Sequence, residues 1–348
     1  MNRDALLELL YMLSNTPGTS GDEIEVRRAL RPHLEGHVES LRVDAMGNLI
    51  AHKKGTGAHD LRVLLTAHMD EVGLMVVDHT GEGALKVATS GSIDARLLPG
   101  LEVRVGPQAR PGVIGIKAIH RADEDENVIP VSALTVDIGA HDREEALELA
   151  PIGTRITFAT TAHPLGQLVA GKAFDDRAGC AALVALLQGP PLPCDVFGVF
   201  TVQEEVGLRG ARVAGYTVAP AAAFVLEGTI ADDLPKEEEG SPTSEIGKGP
   251  VLTVMDRSYV ADPRLVRLVI QVATAAGIPY QFKQPGIGGT DAGTIHFTRE
   301  GVPAITLAIP CRYIHGPVAL LDPQDLEHTV ALLRASLEQL TPEVIQRP

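Results

Sequence analysis

Tryptophan is absent from this chain, and aromatic residues make up only 3% of it. A core without large rings has to be built from Leu, Val, Ile and Ala, and the aromatic platforms on which sugars usually stack are missing. Cysteine is also scarce. Cys180, Cys194 and Cys311 are odd in number, lie in apolar surroundings and fit no zinc-finger spacing, so buried free thiols of a reducing compartment are expected rather than a disulfide framework. Basic residues are outnumbered: 30 Lys and Arg against 45 Asp and Glu give a net charge of −15, with no basic cluster, which argues against nucleic acid and anionic membranes as partners. No long apolar segment stands ahead of a small-residue cleavage site, so neither a signal peptide nor a membrane span is expected, and the cytoplasm is the expected location.

What is present is ample apolar material, 45% of 348 residues, enough for one large domain or two ordinary ones. Residues 5–13 and 22–34 read as helices, the second opened by Ser20 and Glu23 at capping-box spacing; residues 38–43 and 48–52 read as a hairpin. Apolar runs at 61–67, 196–202, 221–226, 251–255 and 304–309 read as strands, several of them of buried parallel type; helices are expected at 180–187, 263–276 and from Pro323 to about Leu340. Between them, residues 72–167 change texture to short Val- and Gly-punctuated runs with scarce helical periodicity, the mark of a small β domain inserted into an α/β domain. The charged stretch 121–130 reads as an interface, active-site or plain surface loop, and Glu237-Glu238-Glu239 as a solvated charge run.

Chemistry-bearing residues gather where the strands end, which is where open α/β sheets place their ligand sites. The run 196–202 leads into adjacent carboxylates, Glu204 and Glu205, which leave a strand toward opposite sides and can hold different tasks. The run 61–67 ends in His68-Met69-Asp70, an imidazole and a carboxylate on one face of an extended chain. Asp175 and Asp176 precede a helix, where one suits an N-cap and one a metal bridge. The run 221–226 ends in Glu227, and the run 304–309 leads to His315. Together, His68, Asp175, Glu205, Glu227 and His315, supported by Glu204 and Asp70, form an N/O donor set suited to zinc, cobalt or manganese. Two such ions would activate water, with Glu204 as the general base.

Five segments in order carry a resemblance: Ala67-His68-Met69-Asp70-Glu71-Val72-Gly73, Phe174-Asp175-Asp176-Arg177, Gln203-Glu204-Glu205-Val206-Gly207-Leu208-Arg209-Gly210, Gly288-Gly289-Thr290-Asp291-Ala292-Gly293, and Arg312-Tyr313-Ile314-His315. With them, nearly the whole chain resembles the TET-type, glutamyl-aminopeptidase family of dinuclear metallo-aminopeptidases, some of whose members have been labelled endoglucanases. The resemblance implies an α/β fold, a mixed sheet flanked by helices forming a zinc-peptidase-like catalytic domain over 1–70 and 168–348. It also implies an inserted, small β-barrel-like dimerisation domain over 71–167. It implies two divalent metal ions per subunit, zinc foremost: one on His68 and Glu227, one on Glu205 and His315, with Asp175 as the bridge because it lies four residues before Gly179. Glu204 would be the base and Asp70 would orient His68; position 227 is commonly Asp in the family, and the longer Glu still reaches. Peptides would be trimmed from the N-terminus inside a tetrahedral dodecamer assembled from dimers.

The nearest competing function is a metallo-amidohydrolase on the same scaffold, a deacetylase, desuccinylase or dipeptidase. A glycosidase using Glu204 leaves His68 and His315 unexplained. The preferred N-terminal side chain stays open; Arg312 offers an acidic side chain a partner, or forms a structural ion pair.

Overall fold

A computed structural model describes residues 1–58, 60–115, 128–234 and 241–347. The chain opens with helices α1 (Arg3–Asn15) and α2 (Ile24–Leu34), the hairpin β1 (Ser40–Val43) and β2 (Leu49–Lys53), and the buried strand β3 (Arg62–His68). Next come β4 (Gly73–His79), β5 (Leu85–Ser90), β6 (Glu102–Val105), β7 (Arg110–Ile114), β8 (Thr135–Asp137), α3 (Arg143–Leu149) and β9 (Arg155–Phe158). Strands β10 (His163–Leu165) and β11 (Leu168–Gly171) lead to α4 (Phe174–Gln188), β12 (Asp195–Thr201), α5 (Arg209–Val218), β13 (Ala222–Ile230), β14 (Val251–Thr253) and α6 (Pro263–Ala276). The chain finishes with β15 (Gln281–Phe282), α7 (Ala292–Ile295), β16 (Ala304–Arg312), β17 (Ala319–Leu321), α8 (Pro323–Glu338) and α9 (Pro342–Ile345).

The expected mixed α/β architecture with a β-barrel insert is what forms. An 11-stranded sheet runs β1-β2-β12-β3-β13-β16-β17-β11-β10, with β14 and β15 joined to it at β16, while β4-β5-β8-β7-β6-β9 close into a barrel. The four central strands β12, β3, β13 and β16 are parallel. Their sequences are near-continuous apolar runs because helices cover both faces of such a sheet. The core is aliphatic, with Phe174, Phe200 and Phe224 fully buried in it, and the barrel encloses a separate core of Val, Leu and Ile. All three cysteines are free and buried. Among the described residues, no helix is long and apolar enough to cross a membrane.

Two local expectations give way. Ser20 and Glu23 form no capping box: α2 starts at Ile24 with Glu23 as its N-cap residue and no side-chain cap bond. The expected helix at 180–187 begins earlier, at Phe174, with Asp175 and Asp176 in non-helical backbone. Strand β10 lies in the large sheet beside β11. The loop reading of 121–130 falls mostly, and that of Glu237-Glu238-Glu239 wholly, outside the described residues.

Candidate active site

The parallel strands β3, β13 and β12 deliver His68, Glu227 and the Glu204–Glu205 turn to one edge of the sheet, and β16 leads to His315. His68, 2% exposed, ends β3; its Nδ1 bonds the main-chain carbonyl of Asp70 at 2.9 Å. That leaves Nε2 facing Asp175 Oδ1 and Glu227 Oε1, each at 3.1 Å. Donation from Nδ1 to a carbonyl selects the tautomer whose Nε2 lone pair is free for a cation. The Asp70 carboxylate stands beside the same nitrogen, Oδ1 at 3.5 Å from Nδ1. Across the site, His315 Nε2 lies 3.4 Å from both Asp175 Oδ2 and Glu205 Oε1. Asp175 thus offers one oxygen to each histidine.

Its neighbour Asp176 is occupied elsewhere. Its oxygens accept the backbone N–H of His68 at 3.1 Å and of Gly179 at 2.9 Å, which makes it a cap and a brace. Glycine follows Glu227 for a steric reason: a Cβ on Gly228 would stand 2.7 Å from Asp175 Cα. Backbone strain gathers here too, with Ala173, Gln203, Leu208, Tyr313 and His315 all at positive φ.

Asp70 spends its carboxylate on the turn opposite. Oδ1 accepts the N–H of Glu204 at 3.0 Å; Oδ2 accepts that of Glu205 at 3.2 Å and the Ser20 hydroxyl at 2.7 Å. Burial pushes Asp70 up, but the bonds with His68, Ser20 and Glu204 more than offset it and hold the group below the usual carboxylate range. Glu204 is pushed well up by burial, with Asp291, Glu205 and Asp70 adding to the shift and His68 opposing it. Burial also raises Glu205, to about 7, against the pull of His315. Burial disfavours the charge on His315, yet Asp175 and Glu205 bring it up to about 9.

Two sets of donor atoms each fall within 4.8 Å of one another: His68, Asp175 and Glu205, and His68, Asp176 and Glu227. Because both Asp176 oxygens are taken by backbone amides, Asp175 is the more available donor of the two. Glu227 Oε2 is buried and has no hydrogen-bond partner among the described residues. An orphaned, buried carboxylate oxygen beside an imidazole and further carboxylates fits a cation, which would supply the missing partner.

The cluster borders a cleft of about 700 Å³, lined also by Ser92, Arg257, Lys283 and Thr290. Sequence reasoning missed several of the residues that serve it. Ser20 and Glu23 carried a local helix signal that masked their long-range use. Lys283 and Ser92 gave none. Lys172 and Glu71 form a buried pair with both Nζ–O distances at 2.7 Å, and Arg177, inside a motif, bonds the carbonyls of Met69, Leu13 and Thr16. Asp291 makes no cap bond for α7 and accepts instead from Thr201 Oγ1 at 2.6 Å. Arg312 is committed to Asp233, at 2.5 and 2.9 Å, so the structural reading of that residue holds.

An α/β chain whose parallel strand ends converge imidazoles and carboxylates on one cleft has the build of a hydrolytic enzyme. The chain belongs to the M42 glutamyl aminopeptidase family, whose model matches residues 47–332. A lysyl aminopeptidase of Pyrococcus furiosus is 35% identical over 345 residues, covering 96% of this chain and 97% of that protein. The TET aminopeptidase of a marine-sediment Thaumarchaeota archaeon superposes with a TM-score of 0.94 at 36% identity, covering 99% of each chain. The TET1 peptidase of Pyrococcus horikoshii, described as assembling into a tetrahedron or a large octahedral shell, gives 0.86 at 34% identity over 96% of this chain and 100% of that one. By family, then, the chain is a peptide hydrolase of aminopeptidase type.

Proposed function

We propose that this protein removes N-terminal residues from peptides in a metal-dependent reaction, with His68, Asp175, Glu205, Glu227 and His315 as ligands and Glu204 as general base. The observation that carries the reading is Asp175, which faces His68 with one oxygen and His315 with the other. His68 and Glu227 would hold one divalent ion, Glu205 and His315 a second, and Asp175 both; zinc suits these donors, as do cobalt and manganese. Such ions, when bound, make water more acidic and offset negative charge developing on the scissile carbonyl oxygen. Glu204 accepts the proton of the attacking water as the C–O bond forms, and returns it to the departing amine nitrogen as the C–N bond breaks. Asp70 fixes where that carboxylate stands, through the amides of Glu204 and Glu205.

The cleft also bears on which side chain is taken. Lys283 is 6% exposed and lines the cleft, and burial lowers its pKa against the pull of Glu227, Asp256 and Asp175. An acidic side chain entering the cleft would give that ammonium a charge-assisted partner. A basic one would bring two cations together.

The barrel is taken as the association domain of the chain, spanning 71–167 between catalytic parts 1–70 and 168–348, and the assembly as a tetrahedral dodecamer built from dimers, in line with the tetrahedron named for the Pyrococcus horikoshii relative. The test is hydrolysis of aminoacyl-4-nitroanilides and short peptides by metal-stripped protein, with zinc, cobalt or manganese restored and Glu204→Gln in parallel. Metal-dependent release of N-terminal residues, lost in Glu204→Gln while metal stays bound, is the expected result. Turnover of N-acylated substrates alone would move the protein to an amidohydrolase.

A further inference from the structure

We propose that Ser20 and Glu23, on the linker between α1 and α2, are positioning residues that hold the Glu204–Glu205 turn in its working geometry. The inference rests on the aminopeptidase reading of that turn and reaches residues that touch neither the substrate cleft nor the proposed ligand atoms.

Three consecutive amides of the turn are tied to side chains distant in sequence. Gln203 N–H donates to Glu23 Oε1 at 3.1 Å, Glu204 N–H to Asp70 Oδ1 at 3.0 Å, and Glu205 N–H to Asp70 Oδ2 at 3.2 Å. The acceptors are themselves fixed. Glu23 Oε1 also takes the N–H of Gly21 at 2.6 Å, and Asp70 Oδ2 takes the Ser20 hydroxyl at 2.7 Å. Ser20, Glu23 and Asp70 are 4%, 5% and 0% exposed, so little water competes for these bonds.

The turn needs an external brace because Gln203 sits at φ 55°, a left-handed conformation that a non-glycine residue adopts only where its surroundings impose it. The brace is also made at the expense of a local alternative. Ser20 and Glu23 have the spacing to cap α2, yet α2 carries no side-chain cap. The linker is anchored in turn, with Gly18 N–H on Glu71 Oε1 at 3.1 Å and Glu71 N–H on the Gly18 carbonyl at 2.9 Å. Arg177, two residues beyond Asp175, bonds the carbonyls of Leu13 and Thr16. One short linker therefore registers the His68 strand end, the Asp175 turn and the Glu204–Glu205 turn against one another.

The experiment compares Ser20→Ala, Glu23→Ala and Glu23→Gln with the wild-type chain, each fully loaded with zinc, by steady-state kinetics and by hydrogen exchange of the segment 202–208. Loosening a general base by a fraction of an ångström is expected to lower kcat about tenfold with KM changed less than about threefold in Ser20→Ala and Glu23→Ala. The amides of 203–205 should exchange about tenfold faster in both, because their acceptors are lost or freed. Glu23→Gln keeps the Oε1 acceptor and should recover both properties, which a loss of general stability would not. Should Glu23→Ala fail to fold, Ser20→Ala, lacking one hydroxyl, carries the same readouts. Unchanged exchange at 203–205, an effect on KM in place of kcat, or a Glu23→Gln as impaired as Glu23→Ala would each overturn the proposal. A wild-type chain without peptidase activity would sink the aminopeptidase reading instead, and the exchange measurement would still decide the brace.

Discussion

His315 Nδ1 bonds the main-chain carbonyl of Ser92 at 2.9 Å, across 223 residues of sequence. Ser92 follows β5 of the barrel, whereas His315 follows β16 of the sheet, so the tautomer of one proposed ligand is set by a carbonyl of the other structural unit. Beside it, Gly91 sits at φ +83°, and a Cβ there would stand 2.7 Å from Val72 Cγ1 and 3.3 Å from the Glu205 side chain.

Gly91→Ala should therefore do two things. The left-handed backbone alone costs about 1–3 kcal/mol, read as a lower urea midpoint. The new methyl also presses on Glu205, so zinc binding should weaken by more than the stability loss accounts for. Equal zinc affinity in the variant, by competition with a chromophoric chelator, would argue against the contact with Glu205.

Glu204→Gln keeps the shape of the side chain and removes its capacity to take a proton. Turnover is expected to fall about 10²- to 10⁴-fold, with metal content by elemental analysis unchanged. A parallel loss of metal would make Glu204 a ligand rather than a base.

Metal uptake should weaken as pH falls. His315 is held up to about 9, where burial is outweighed by Asp175 and Glu205, and burial raises Glu205 to about 7. Ligation takes neutral imidazoles and ionised carboxylates, and His68 and Glu227 are raised as well, so at least one proton must leave below about 9 and more below about 7. The apparent affinity is expected to fall as pH is lowered from about 9 to about 7, and more steeply below about 7. Chelator competition across that range, with proton release followed by a pH dye, measures both slopes.

Lys283→Glu should reverse side-chain preference. The wild-type chain is expected to favour glutamyl over lysyl nitroanilide, and the variant to lose at least tenfold of that ratio, about 1.4 kcal/mol of discrimination. A ratio that does not move would place the selecting groups elsewhere in the cleft.

Lys172→Met tests the buried pair behind the site. Burial lowers the Lys172 pKa against the pull of Glu71, and removing the ammonium leaves the Glu71 carboxylate short of its main partner. The expected cost is about 3–5 kcal/mol, nearer the lower figure because Arg177 stands 3.4 Å from Glu71. Lys172→Met combined with Glu71→Gln should be milder than Lys172→Met alone.

The strands were the most legible part of the chain. The runs at 61–67, 196–202 and 304–309 are continuous and apolar because β3, β12 and β16 are buried on both faces. Their ends, with His68, Glu205 and His315, could be read for the same reason. Residue type alone did not separate Asp175 from Asp176; the resemblance chose Asp175, and the physical ground, that Asp176 is held by the amides of His68 and Gly179, is visible only in the fold. Ser20 and Glu23 misled in a more instructive way. Their spacing matches a local motif, but the bonds they make run to Asp70 and Gln203, 50 and 180 residues away. Lys283 was invisible because a lysine's burial depends on neighbours that no spacing encodes.

The sheet order has a consequence for how the protein is made. Strand β3 lies between β12 and β13, and β13 pairs with β16, which begins only at Ala304. A chain still emerging from the ribosome presents His68 long before His315, so the proposed metal set cannot close until the segment beyond β16 has been made. Partial products would carry some of the carboxylates without their second imidazole. The interleaving thus leaves the proposed donor set open in any chain that stops short of His315.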